Sequence, residues 1–115
     1  MTYTGSCHCE KVRYQGEGEL GKVTECNCSI CRRRGHLLWF VPREKLHFIT
    51  PESDLSTYSF NKHRIRHRFC PTCGSTTFGE GSDSKGNKMA AINVRCLDDV
   101  NLTSLTIKQF DGRSL

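Results

Sequence analysis

Residues 25–36, ECNCSICRRRGH, put three cysteines within six positions and three arginines directly after them. Deprotonated cysteines are metal ligands and nucleophiles. Three is an awkward number, because a closed structural zinc site takes four ligands and disulfides take pairs. The other cysteines are Cys7 and Cys9 near the start, Cys70 and Cys73 in FCPTCGS, and Cys96 in INVRCL. FCPTCGS has the form of a zinc knuckle. Pro71 stiffens the turn, Gly74 permits a tight backbone, and two intervening residues let both sulfurs face one ion. A knuckle needs two more ligands. Cys7 and Cys9 are the natural partners, giving a four-thiolate site that ties the N-terminus to the middle of the chain and contributes folding energy. The alternative leaves Cys7 and Cys9 unpaired and recruits His8 or His67.

Cys26, Cys28 and Cys31 then remain without a second knuckle. The economical reading is an ion held by three thiolates with one position open, as in a catalytic zinc site whose free place takes water or substrate. A structural site closed by Cys96, His36 or His47 is the competing reading, and a redox-active thiol cluster is a third. Cys96 lies in an apolar run, where a lone cysteine is most often a buried small hydrophobe.

The elements that must position these residues are short. The chain has 115 residues, one domain's worth, with 36% hydrophobic residues and a formal charge of +5. That excludes a long disordered protein and predicts a thin core. No apolar run approaches the roughly 18 residues needed to span a bilayer. MTYTGSCHCEKVRY has no charged start leading into an apolar stretch, so no signal peptide is expected and a cytoplasmic location is the default. In that setting eight cysteines bind metal or do chemistry rather than form a disulfide framework.

KVRYQGEGEL alternates around Val12 and Tyr14 and predicts a strand ending at the glycines. CSICRRRG predicts one helical turn closed by Gly35. HLLWFVP, KLHFIT, LSTYSF and HRIRHRF read as strands, with Asn61-Lys62 as a hairpin turn and Ile65 and Phe69 facing inward. FCPTCGSTTFGEG reads as a turn and a short strand, and KMAAINVRCL and LTSLTIKQF as two final strands. Trp39, Phe40 and Phe78 read as core rather than substrate wall. The whole is a mostly-β single domain, 1–115, with short helical turns.

GSCHC…VRY, CNCSICRRRG, FCPTCG and NVRCLDD occur in that order over nearly the whole chain. The set resembles the glutathione-dependent formaldehyde-activating enzyme family, which includes centromere-protein-V-like members. The resemblance implies a small zinc-bound β-tent. It implies a structural zinc on Cys7, Cys9, Cys70 and Cys73 and a catalytic zinc on Cys26, Cys28 and Cys31. It also implies carbon–sulfur lyase-type chemistry on a glutathione adduct of formaldehyde or another small aldehyde. The chain differs from many members at Glu10, where they have Gly, and near Lys108, where they have His.

An open three-thiolate zinc favours a bound thiol as its thiolate and polarises a carbonyl. Its own negative ligands make it a weak Lewis acid, which favours thiol exchange over making hydroxide. Arg32, Arg33 and Arg34 either receive glutathione's carboxylates or offset thiolate charge in water. No general base stands out. The three-thiolate site should hold its zinc less firmly than the closed one. A second reading is a zinc-binding module for nucleic acid or a protein partner, using the basic run from Lys62 to Arg68. Against it, aromatic stacking residues are not grouped there.

Overall fold

In the computed structural model the described residues are 1–60 and 64–114, and they form ten strands and one α-helix with short 3-10 turns. The strands are β1 (Thr2–Ser6), β2 (Arg13–Glu17), β3 (Lys22–Cys26), β4 (Leu38–Pro42), β5 (Leu46–Phe48), β6 (Ser56–Tyr58), β7 (Arg66–Phe69), β8 (Thr76–Ser82), β9 (Lys88–Asn93) and β10 (Thr106–Phe110). The helix α1 is Ser29–Arg34, and the N–H of Gly35 donates to Cys31 O at 2.8 Å to close it, as the sequence predicts. A three-stranded sheet has the order β1-β2-β5, and a seven-stranded sheet the order β10-β3-β4-β9-β8-β7-β6. The mainly-β expectation is met. No described helix is long and apolar enough to cross a membrane. The predicted Asn61-Lys62 turn lies outside the described residues.

Side chains alternate across a strand, and directly paired residues share a face. On one face of the larger sheet Trp39, Val41, Phe78, Ala90 and Ile92 are buried against Tyr14 and Leu46 of the smaller sheet. Tyr14 and Phe48 meet Phe78 with ring centroids 6.0 and 5.7 Å apart, and Tyr3 meets Trp39 edge-on at 5.5 Å. Trp39 Nε1 donates to Glu19 O at 3.1 Å, so its one polar atom is satisfied inside the core.

The opposite face carries two cross-strand rows. One runs His67, Gly79, Ala91, Phe40 across β7, β8, β9 and β4. The other runs Lys108, Thr24, Leu38, Asn93 across β10, β3, β4 and β9. A cavity of about 710 Å³ opens over this face. β10 lies parallel to β3, with Phe110 paired to Cys26, and so brings the C-terminal segment to the cysteines.

Two expectations are corrected here. Trp39 and Phe78 are core, but Phe40 is 52% exposed and lines the cavity. In β7 the inward residues are His67 and Arg68, while Ile65 is 52% exposed. A register shift between Arg68 and Phe69 breaks the alternation. Arg68 is tolerated inside because Nη1 lies 2.8 Å from Glu80 Oε1 and 3.3 Å from Glu52 Oε1, and Arg43 Nε meets Glu80 Oε2 at 2.8 Å.

Candidate metal centres and the adjoining cavity

The loop after β1 carries Cys7 and Cys9, and the loop between β7 and β8 carries Cys70 and Cys73. Their four sulfurs lie within 4.8 Å of one another. Sulfurs held tetrahedrally at about 2.3 Å from zinc stand about 3.8 Å apart. Cys7–Cys9 and Cys9–Cys70 are 3.6 and 3.7 Å apart, so the set fits such an ion. All eight cysteines are free thiols.

Local backbone prepares the set. Gly74 adopts φ 81 and its N–H donates to Cys70 O at 2.8 Å, making the tight knuckle turn. Val12 N donates to Cys7 Sγ at 3.3 Å. Burial works against ionising Cys73, but bonds from the Ser75 hydroxyl and the N–H groups of Cys9 and Ser75 outweigh it and bring the thiol down to about 5. Cys9 is pushed up to about 11: a bond from the Lys11 N–H pulls the other way, while burial and the neighbouring thiols of Cys7, Cys70 and Cys73 raise it. A divalent cation bound there would displace the thiol protons. The knuckle takes Cys7 and Cys9, and neither His8 nor His67 joins the four.

Cys26 ends β3, Cys28 caps α1 and Cys31 sits inside its first turn, so one strand end and one helical turn aim three sulfurs at a common point. These sulfurs also lie within 4.8 Å of one another, and no other described His, Cys, Asp or Glu joins them. Burial opposes ionisation of Cys28, yet the Cys31 N–H, the two neighbouring thiols and the Ile30 N–H hold its pKa below the usual thiol value. Burial, and then Cys28 itself, push Cys31 up. Burial likewise raises Cys26, against the N–H groups of Cys28 and Gly112. The donor set is sulfur alone and suits a soft or borderline divalent ion.

The competing fourth ligands lie elsewhere. Cys96 Sγ donates to Thr76 O at 3.5 Å, and burial, with the charges of Cys7 and Cys73, raises its pKa to about 11. It is half-buried rather than fully buried. His47 Nε2 pairs with Glu17 at 2.8 Å. His36 is 4% exposed and outside the three-sulfur group.

The cavity wall includes Cys26, Cys28 and Cys31 together with His36, His67, Arg64, Lys108 and Arg113. Arg32, Arg33 and Arg34 are exposed on α1 and are not in that wall. Arg33 Nη1 donates to Ser29 O at 2.9 Å, and Arg34 Nη1 donates to Thr76 Oγ1 at 2.8 Å while lying over Tyr58 and Phe69. Burial, then the charges of Arg34 and His67, lower His36 to about 4, so it is neutral near pH 7. Its Nε2 is buried with no partner among the described residues. Burial and Arg34 lower His67 as well.

Lys108 and Arg113 escaped the sequence reading as site residues, and His36 entered it only as a candidate fourth ligand. The one signal was the position of Lys108 near a histidine of the resembling family. Within the basic run, Arg66 and Arg68 face Glu80, so part of its charge is spent inside the fold.

With this geometry in place, comparisons with known proteins are specific. The family described as glutathione-dependent formaldehyde-activating enzyme matches residues 2–112. The chain is also similar to the crystal structure of a Rhodobacter sphaeroides protein determined as a structural-genomics target. The two are 27% identical, with a TM-score of 0.77 over 94% of this chain and 100% of the other.

Proposed function

This chain belongs to the glutathione-dependent formaldehyde-activating enzyme family, and from that premise we propose that Cys26, Cys28 and Cys31 serve a reaction joining a thiol to an aldehyde. The family supports glutathione-related aldehyde handling, and both cysteine sets permit metal binding. The proposed metal is zinc in each. Cys7, Cys9, Cys70 and Cys73 form the structural site, and Cys26, Cys28 and Cys31 the working one. The observation that carries the reading is the uneven division of sulfur: four close on one another, while three stand in the wall of a 710 Å³ cavity.

The reaction adds R–SH to R′–CHO and gives R–S–CH(OH)–R′. One carbon–sulfur bond forms, the carbonyl π bond is lost, and the thiol proton ends on the new hydroxyl. The reverse direction is the carbon–sulfur lyase step. When bound, zinc favours the thiolate of an incoming thiol and polarises the carbonyl. The chain supplies the rest. Lys108 and Arg113 offer positive charge to the carboxylates of a glutathione-like thiol. His36, held neutral by burial, stands in the same cavity wall and adds no charge beside the reactants. The sheet face and α1 exclude water from one side of the reactants.

A panel of thiols and aldehydes, followed spectroscopically with and without a chelator, tests this reading. Catalysed adduct formation that the chelator abolishes is expected. Rates equal to the uncatalysed reaction with every pair would end it.

A further inference from the structure

The cavity must receive the thiol as well as the aldehyde, and beyond the cysteines and the Lys108–Arg113 edge part of its wall is apolar. Ligand pockets for molecules of tens of atoms measure about 300–1,000 Å³, and this one is about 710 Å³. Its floor beyond the cysteines is the row Phe40, Ala91 and Gly79. Two small residues in adjacent strands open a trough. A Cβ on Gly79 would be in ordinary contact with Ile65 Cγ2 at 3.7 Å and Ala91 Cβ at 4.0 Å, so Ile65 walls the trough at its Gly79 end and the open part lies over Ala91 and Phe40.

The trough is flanked by large apolar side chains left in water. Phe40 and Ile65 are each 52% exposed and Phe110 is 45% exposed, and all three line the cavity. A peptide thiol's carboxylates find no partner on that floor. Their partners, Lys108 and Arg113, stand at the β10 edge beside Cys26. Arg64 and His67 also line the cavity, His67 continuing the row beside Gly79, so the apolar stretch of the floor is Ala91 and Phe40 with Ile65 and Phe110 at its sides.

We propose that the aldehyde handled here is bulky and apolar, an aromatic or medium-chain aldehyde whose side chain lies over Ala91 and Phe40 in this trough. This rests on the thiol–aldehyde reading above and names its carbonyl substrate class. The bond-making step is unchanged: the thiol sulfur joins the carbonyl carbon and its proton goes to the oxygen. Continuity of the trough with the three sulfurs selects the occupant, because an apolar group on the reacting carbon extends into it.

The metal-loaded chain is assayed with glutathione and either formaldehyde or hexanal, with adduct exchange rates read by NMR. Hexanal is expected to exceed formaldehyde in kcat/KM by about tenfold or more, and Ala91→Leu to lower that ratio by a similar factor. A preference for formaldehyde, or a ratio unmoved by Ala91→Leu, would overturn the proposal and leave the thiol–aldehyde reading standing. No turnover with either aldehyde counts against that reading instead. The trough is then judged by calorimetry with S-hexylglutathione, expected to bind about tenfold tighter than glutathione and to lose that advantage in Ala91→Leu. Phe40→Ser, at a half-exposed position, serves the same comparison where Ala91→Leu does not fold. Equal binding of the two thiols, or a concentration-dependent dimer that covers the trough, would sink the proposal.

Discussion

A methyl group on Gly112 would lie 2.5 Å from Cys26 Sγ and 3.3 Å from Cys28 Cβ. The Gly112 backbone instead comes close enough to that sulfur for its N–H to lower the thiol's pKa. The segment is brought there by Asn27, the residue between two of the ligands. Asn27 N donates to Phe110 O at 3.2 Å, its Nδ2 donates to Asp111 Oδ1 at 2.9 Å, and its Oδ1 accepts the Arg113 N–H at 2.8 Å. The residues nearest the C-terminus are therefore tied to the ligand loop itself, and the same tie places Arg113 in the cavity wall.

Gly112→Val should push this segment off the three sulfurs while leaving the four-sulfur set intact. Steric conflict with Cys26 moves the Gly112 N–H away from the sulfur and opens the site to water. Turnover should fall by about tenfold or more, the range that misplacement of supporting groups commonly costs. Metal should be lost from this set in dialysis, with the melting temperature little changed. Metal analysis together with a melting curve checks it. Full metal content in the variant would show that the contact does not matter.

The two cysteine sets should respond differently to loss of one ligand. Cys70→Ser removes a ligand from the set that joins the N-terminal loop to the β7–β8 loop, 61 residues apart between Cys9 and Cys70. Binding energy there is folding energy, so the variant should lose its cooperative unfolding transition. Cys28→Ser should keep that transition and lose turnover. A chelator titration of the parent should release the first equivalent of metal from Cys26, Cys28 and Cys31, read by anomalous scattering at the zinc edge. Release from the four-sulfur set first would reverse the assignment.

Glu10, where many resembling sequences have Gly, adopts φ 64. This left-handed region costs an L-residue with a Cβ about 1 kcal/mol. Its carboxylate pairs with Arg13 at 2.9 Å, but it is 70% exposed in that pair and the pair contributes little. Glu10→Ala removes the pair and keeps the strain, whereas Glu10→Gly removes the pair and relieves the strain. Glu10→Gly should therefore be the more stable of the two by about 1 kcal/mol in denaturant titrations. Equal stability would mean that the backbone is not strained there.

Both cysteine clusters were legible because their spacing is local: C-x-C and C-x-x-C place sulfurs together whatever the rest of the fold does. The cavity was not. HLLWFVP is apolar on both faces, so its alternation does not say which side meets the core. Trp39 and Val41 went inward, and Leu38 and Phe40 went to the cavity. The parallel pairing of β10 with β3 joins residues 84 apart, as from Glu25 to Gln109, and leaves no local trace. Lys108 and Arg113 were accordingly invisible as site residues. Burial of Arg68 depends on Glu52 and Glu80 from other elements, which a pattern read within β7 misses.

Glu80 should make acid stability measurable at one residue. Burial raises its pKa, but hydrogen bonds from Arg43 and Arg68 outweigh that and bring it below its ordinary value of 4.5. A carboxylate depressed in the folded state stabilises fully above its unfolded pKa, and that stabilisation is lost as pH falls through the lower folded value. Glu80→Gln leaves Arg68, 5% exposed, without its 2.8 Å carboxylate partner. It should cost about 3 kcal/mol near neutral pH, as breaking a buried ion pair does. Below pH 4.5 the parent's own Glu80 becomes protonated, so the gap between the two proteins should narrow. Groups that Glu80→Gln does not touch titrate alike in both proteins and cancel in the difference. Denaturant titrations of the pair across this range check it, and a gap that stays constant as pH falls would show that Arg68 is not held by the Glu80 charge.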